Sequence, residues 1–374
     1  MQPVTWYTAR PLLDLMLALQ GLEAPVLDPA EAWRVFKEYL AVPSEAGSVV
    51  GGFHCSVVSD ESLGPGVLVR FVREISDPEV GGSRVRNVFL QLVYNESQEG
   101  LEDRDLSMED YVGLGVFDAL AAVQRALPRA KVHAMGYCLG GTLLAIAAAA
   151  MARDDHAPIK TLTLLAAQTD FEDPGELGLF IDESQVAFLE DLMSERGVLD
   201  GRQMAGAFAL INSKDLVWSK LVHEYLMGAT TPLTDLRAWN ADATRMPARM
   251  HGEYLRGLYL NNDLAEGRYL VGGRPVALHD MHWPMYVVAT ERDHVSPWQS
   301  VYKIQLLTDA ELRFVLTRGG HNVGIVNPPA GPAASPAAGY RVGMRALGAP
   351  YQNAQTWFEG AAEHTGSWWT DWTQ

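Results

Sequence analysis

Residues 136–141 read GYCLGG, a thiol set among glycines. The spacing G-x-C-x-G-G is that of a nucleophile elbow. In such an elbow a reactive side chain sits on a sharp strand-to-helix turn, and only small neighbours leave room for it. Gly136, Gly140 and Gly141 are placed to supply that room around Cys138. A helix starting near Leu139 would aim its free backbone N–H groups and positive dipole end at the sulfur, which favours thiolate over thiol. The backbone N–H of Leu139 is then the expected first donor to an oxyanion. Taken alone, the same turn could equally hold a buried, inert cysteine.

Two more groups argue for chemistry. Just past the apolar run MYVVAT (285–290) comes ERDHVSPW, with Asp293; just past LRFVLT (312–317) comes RGGHNVG, with His321 in a Gly-rich loop. The order nucleophile, acid, histidine is that of an α/β-hydrolase triad. Both groups fall at the C-terminal ends of their expected strands, where open α/β sheets bind ligands. The expected roles follow: Cys138 attacks an acyl carbon, His321 accepts its proton, and Asp293 orients the imidazole or helps activate a second substrate. Other residues compete. Asp170, after TLTLLAA, is an alternative acid; His294, Asp280 and His282 read as loop residues, and Cys55 as a thiol with no role.

The elements that must position these groups are legible from residue 87 onward. NVFLQLVYN (87–95) is an apolar run suited to a buried strand. Ser107 and Asp110 form a capping-box start for an amphipathic helix over 108–127, with Val112, Val116, Leu120, Val123 and Leu127 on one face. KVHAM (131–135) leads as a strand into the GYCLGG turn. LGGTLLAIAAAAMA (139–152) is apolar on nearly every side and predicts a buried helix, and TLTLLAA (161–167) is the next strand. This alternation predicts an α/β fold, a mostly parallel sheet flanked by helices. Between 171 and 280 the texture turns to helical segments without a core strand, which predicts an inserted helical cap or lid. The core would then be 88–170 plus 281–374, preceded by an atypical segment over 1–87, in which VLVRFVREI (67–75) could be strand or short helix. The tail opens with a low-propensity loop and ends in GSWWTDW, expected to dock on the body.

Composition narrows the function classes. The 374 residues are 48% hydrophobic and 20% charged, as in a globular chain, and the formal net charge of −17 argues against a nucleic-acid partner. Only two cysteines occur, Cys55 and Cys138, so neither a disulfide framework nor a metal site is expected, and the compartment reads as reducing. No apolar run reaches transmembrane length. PLLDLMLAL (11–19) carries Asp14 and reads as an amphipathic helix rather than a signal peptide.

With these residues in place, the chain from about 88 onward resembles the polyhydroxyalkanoate (PHA) synthases, members of the α/β-hydrolase superfamily. The resemblance is carried in order by GYCLGGTLLA, TLLAAQTDFEDPGELGLFIDE (163–183), KDLVW (214–218), WNADATRMP (239–247), YLRGLYLNNDL (254–264), TERDHVSPW (290–298), GGHNVGIVNPP (319–329) and GSWWTDW (366–372). It implies a catalytic triad of Cys138, Asp293 and His321. It also implies (R)-3-hydroxyacyl-CoA thioesters as substrates, with no cofactor and no metal. A thiol suits that chemistry, because thioester exchanges for thioester near energetic balance and CoA leaves. The acyl-enzyme would then be attacked by the hydroxyl of another unit, extending a polyester, while the cap limits water. A homodimer through the cap is implied, working in the cytoplasm at the polymer granule surface.

The departure lies upstream. The family's P-P-W-I-N-K loop, a source of the second oxyanion donor, has no counterpart in 43–87, and SLGPGVLVRFVREI only distantly echoes the helix that follows it. A rebuilt N-terminus and a shifted reading frame both account for this. The alternative functions are a catalytically impaired granule-associated homologue and a cysteine hydrolase acting as thioesterase or depolymerase. Dienelactone hydrolases share the elbow but are too compact for the long span between Cys138 and Asp293.

Overall fold

The computed structural model describes residues 101–126, 131–156, 158–199, 221–228, 245–329 and 335–372, together with the backbones of four strands between 49 and 93. Those strands are β1 (Val49–Val50), β2 (Phe53–Val58), β3 (Val67–Ser76) and β4 (Arg84–Val93), paired as an antiparallel meander. VLVRFVREI is therefore strand, not helix: its β-branched and aromatic residues are spaced for a pleated ladder and pair residue for residue with β4. The expected helices over 11–19 and 30–42 and the KDLVW segment lie outside the described residues.

After β4 the chain winds through the sheet's centre. Ser107 caps the next helix in a capping box, its hydroxyl accepting from Asp110 N at 3.1 Å while Ser107 N donates to the Asp110 carboxylate at 2.7 Å. That helix, α1, runs through Met108–Asp110, widens to π-helical turns over Tyr111–Phe117, and finishes as Asp118–Ala126. Then follow β5 (Val132–Tyr137), α2 (Leu139–Arg153) and β6 (Ile159–Leu165). Every residue of α2 from Gly141 to Met151 is buried, as its all-round apolar sequence requires.

The span 171–280 contributes helix α3 (Glu183–Arg196), the short pair β7 (Val198–Leu199) and β8 (Met246–Pro247), and helix α4 (Ala248–Glu253), continued by π-helical turns over Tyr254–Leu260. A second short pair, β9 (Leu270–Val271) and β10 (Arg274–Pro275), completes it. None of its described strands joins the main sheet. The core resumes with β11 (Met285–Thr290), a helix α5 (Trp298–Tyr302) and β12 (Leu312–Thr317). The tail is more ordered than its opening loop suggests. It adds β13 (Gly339–Arg345), helix α6 (Ala354–Gly360), β14 (Ala362–Thr365) and a final turn of helix, α7 (Trp369–Trp372). GYRVGMR, with two glycines and two arginines, carries little strand propensity of its own; it is a strand because it completes the β12 ladder.

All these strands but β7–β10 form one ten-stranded sheet in the order β1-β2-β3-β4-β5-β6-β11-β12-β13-β14. The middle, from β4 to β12, is parallel, and both flanks are antiparallel. Alternate residues feed two cores: Val287, Phe314 and Leu316 face the core under α2, while Val288 and Val315 face a second core built with Trp368 and Trp369. Among the described residues no helix is long and apolar enough to cross a membrane.

Candidate active site

The parallel strands β5, β11 and β12 deliver Cys138, Asp293 and His321 to one edge of the sheet. Cys138 sits between the end of β5 and the start of α2 with φ 52° and ψ −127°, a left-handed backbone that is strained for any side chain. Its N–H donates to Leu165 O at 2.8 Å, carrying the β5–β6 ladder one residue into the turn. Two of the three glycines are sterically required. A Cβ on Gly136 would lie 2.6 Å from Gly140 O, and one on Gly141 would lie 2.5 Å from the Ala167 Cβ. Gly140 is a correction to the sequence reading: a Cβ there meets nothing within 4 Å, because the residue faces outward. Bonding within α2 starts with the N–H groups of Gly141 and Thr142, which both donate to Cys138 O. The Leu139 N–H precedes the first such bond, as the opening amides of a helix do.

Asp293 is held rigidly. Its side chain is 0% exposed; Oδ1 accepts from the backbone of Val295 at 2.9 Å and Ser296 at 2.8 Å, and Oδ2 accepts from Thr290 Oγ1 at 3.0 Å. His321 Nδ1 lies 2.8 Å from the same Oδ2. Since both carboxylate oxygens act as acceptors, Nδ1 carries the proton and the opposite ring nitrogen is left for the sulfur. The imidazole also hydrogen-bonds Cys138. Burial opposes its protonation, but the Cys138 charge and the hydrogen bonds to Asp293 and Cys138 outweigh this, and the pKa is pushed up to about 10. The arrangement therefore favours the imidazolium form of His321.

The loop carrying His321 is anchored from two directions. Tyr137, next to Cys138, donates its hydroxyl to Asn322 Oδ1 and approaches the His321 carbonyl at 3.2 Å. From below, the tail docks as expected: Trp368 is completely buried, its indole donates to Gly324 O at 3.1 Å, and the Trp369 indole donates to Ile325 O at 2.9 Å. The other candidates stand apart. Asp170 accepts from Glu172 N at 2.9 Å and lies 3.6 Å from Lys303; His294 is surface-exposed, 3.3 Å from Glu176. His282 is exposed and Asp280 closes a short 3-10 turn. Cys55 is on β2, whose side chains lie outside the described residues, as do those of 43–87, where the counterpart of the loop expected to supply a second oxyanion donor would fall.

Three residues of the site carried no individual signal in the sequence: Phe171, Tyr254 and Tyr259, which pack together with the two phenol oxygens 3.3 Å apart. The tyrosines are five apart, a spacing that α-helical periodicity does not bring together. Among the described residues no group of three or more His, Cys, Asp or Glu side chains could hold a metal ion.

Residues 94–328 match the family model described as alpha/beta hydrolase fold, and the chain belongs to that family. Within it, the chain's sequence kinship is with poly(3-hydroxyalkanoate) polymerases. It is 40% identical to the Poly(3-hydroxyalkanoate) polymerase of Methylorubrum extorquens over 72% of this chain and 43% of that protein. It is 39% identical to the Poly(3-hydroxyalkanoate) polymerase subunit PhaC of Rhizobium meliloti (strain 1021) over 71% of this chain and 42% of that protein. The matched region thus spans about two fifths of these curated relatives. A solved alpha/beta fold family hydrolase from Bacillus anthracis str. Sterne overlays 73% of this chain and 95% of its own at 13% identity, with a TM-score of 0.35.

Proposed function

We propose that the chain is a PHA synthase-type acyltransferase, with Cys138, His321 and Asp293 as its catalytic triad and (R)-3-hydroxyacyl-CoA as substrate. The observation that carries this is a cysteine on a strained elbow whose imidazole partner is hydrogen-bonded to a fully buried carboxylate. The Cys138 thiolate attacks the thioester carbonyl, and the developing oxyanion is met by the Leu139 N–H at the start of α2. As the intermediate collapses, the bond from carbonyl carbon to CoA sulfur breaks and the His321 imidazolium gives its proton to the departing thiolate. The neutral imidazole can then take the proton of an incoming hydroxyl, whose oxygen attacks the acyl-Cys138 carbon; the carbon–Sγ bond breaks, Cys138 leaves as the thiolate beside the re-formed imidazolium, and the ester chain is one unit longer. Asp293 keeps Nδ1–H in place through both halves.

Residues 171–280 act as a cap that keeps water from the acyl-enzyme, since hydrolysis would end the chain. The exposed side chains of Phe188, Tyr225, Leu226 and Met227 in that span suit a homodimer through the cap or contact with a polyester granule in the cytoplasm. The test is to incubate the protein with (R)-3-hydroxybutyryl-CoA, follow thiol release and analyse the acyl product. Polymer with free CoA is expected, abolished by Cys138→Ala and much weakened by Cys138→Ser. Free hydroxy acid would make the chain a thioesterase, and no CoA release would make it a non-catalytic homologue.

A further inference from the structure

Within electrostatic reach of the elbow stands a wall built from two tyrosines that an α-helix would not bring together. The π-helical turns over Tyr254–Leu260 do so: the rings of Tyr254 and Tyr259 meet edge to face at 5.3 Å, with their hydroxyl oxygens 3.3 Å apart. Phe171 closes the third side, 4.8 Å from the Tyr259 ring and 6.3 Å from that of Tyr254. Phe171 sits on the loop after β6, the strand that pairs with the Cys138 turn, and its N–H donates to Asn262 Oδ1 at 2.9 Å. The wall is thus fastened to both the sheet and the span above it.

Both phenols lie within the electrostatic reach of the nucleophile. Burial first, then the neighbouring Tyr259 and the Cys138 charge, hold Tyr254 neutral. Burial likewise dominates for Tyr259, against an opposing hydrogen bond from Tyr254, with the charges of Cys138 and Asp293 adding to it. The pair has two hydroxyl protons and a single bond between them, in which either oxygen can be the donor. Neither hydroxyl has another hydrogen-bond partner among the described residues. One O–H therefore remains to be donated, and a desolvated donor left unpaired is costly.

We propose that the Tyr254–Tyr259 pair is a specificity element: its unused O–H donates to the hydroxyl oxygen of the acyl unit carried on Cys138. The assignment rests on the acyl-transfer reading and names what that site recognises. A thioester carbonyl needs only donors and is served by the Leu139 amide at the elbow. A substrate hydroxyl both donates and accepts, and a neutral phenol pair matches both needs. A site built to hydrogen-bond a substrate hydroxyl discriminates against the analogue that lacks it, whereas an apolar wall does not.

The experiment compares single-turnover CoA release from (R)-3-hydroxybutyryl-CoA and from butyryl-CoA, which lacks the hydroxyl. The full chain is used, as parent, Tyr254→Phe, Tyr259→Phe and the double variant. The parent is expected to react faster with the hydroxyacyl substrate. The double variant should lose about tenfold or more on that substrate and much less with butyryl-CoA, and its circular dichroism should match the parent's, which shows that it is folded. An equal loss on both substrates, no loss on either, or no preference by the parent overturns the assignment. Absence of CoA release by the parent from both substrates instead refutes the acyl-transfer reading, and the specificity role with it.

Discussion

Asp293→Asn replaces one oxygen of a buried carboxylate with an amide nitrogen and leaves its volume unchanged. The backbone N–H groups of Val295 and Ser296, at 2.9 and 2.8 Å, hold the remaining oxygen on their side, so the new NH2 faces Thr290 and His321. Thr290 can turn its hydroxyl to accept; the imidazole must instead present a bare Nδ1 and move its proton to the opposite nitrogen. That tautomer points an N–H at the sulfur and cannot take the thiol proton. The lost interaction is a charge-assisted hydrogen bond, about 1.5–3 kcal/mol. At roughly 1.4 kcal/mol per pKa unit it lowers the His321 pKa by about one to two units. From about 10 this still leaves the imidazole protonated at neutral pH, so the effect should appear as a downward shift of about one to two pH units in the alkaline limb of the Cys138 alkylation profile. The assay is the iodoacetamide reaction across pH, read by mass spectrometry on the peptide holding Cys138 so that Cys55 does not contribute. It needs no substrate. An unshifted alkaline limb would refute the claim that Asp293 holds the charge on His321.

Three further outcomes are expected. Gly141→Ala should lower the urea midpoint by the equivalent of about 1–3 kcal/mol, because its methyl would meet Ala167, whereas Gly140→Ala, facing open space, should be neutral or mildly stabilising. Trp368→Phe keeps an apolar ring but removes the indole donor to Gly324 and Ile325, so stability should drop by about 1 kcal/mol and Cys138 alkylation should slow as the His321 loop loosens. Because the folded-state pKa of His321 is raised, its contribution to stability is fully present below the unfolded value near 6.5 and is lost as pH rises through about 10. The unfolding midpoint should fall across that window, and less steeply in Cys138→Ala, where the thiolate that raises the pKa is gone.

β11 and β12 in the sheet's parallel centre were legible because they are almost wholly buried apolar runs, and such runs announce themselves without any partner. β12, LRFVLT, needed no other information. The capping box of Ser107 and Asp110 was legible for the same reason: it is a contact over three residues. GYRVGMR was not, because its two glycines and two arginines dilute the strand preference of Tyr340 and Val342 until β12 offers it an edge. The role of Gly140 was misread because a glycine's spacing does not say which way its missing side chain would point.

The sequence by itself determined the chemistry: a thiol on a glycine-lined elbow, followed by an acid and a histidine each just beyond a strand. Strand ends in a parallel sheet share one edge, so residue type and order were enough to bring the three to a common place. Only the tertiary structure decided which acid the histidine uses, since Asp170 also follows a strand and only Asp293 has its oxygen 2.8 Å from Nδ1. It also decided how the aromatic wall near Cys138 is assembled, because Phe171, Tyr254 and Tyr259 meet through a π-helical turn and a loop from another strand. Local patterns carry the spacing of a turn or a strand; a wall assembled from distant segments exists only once they are packed.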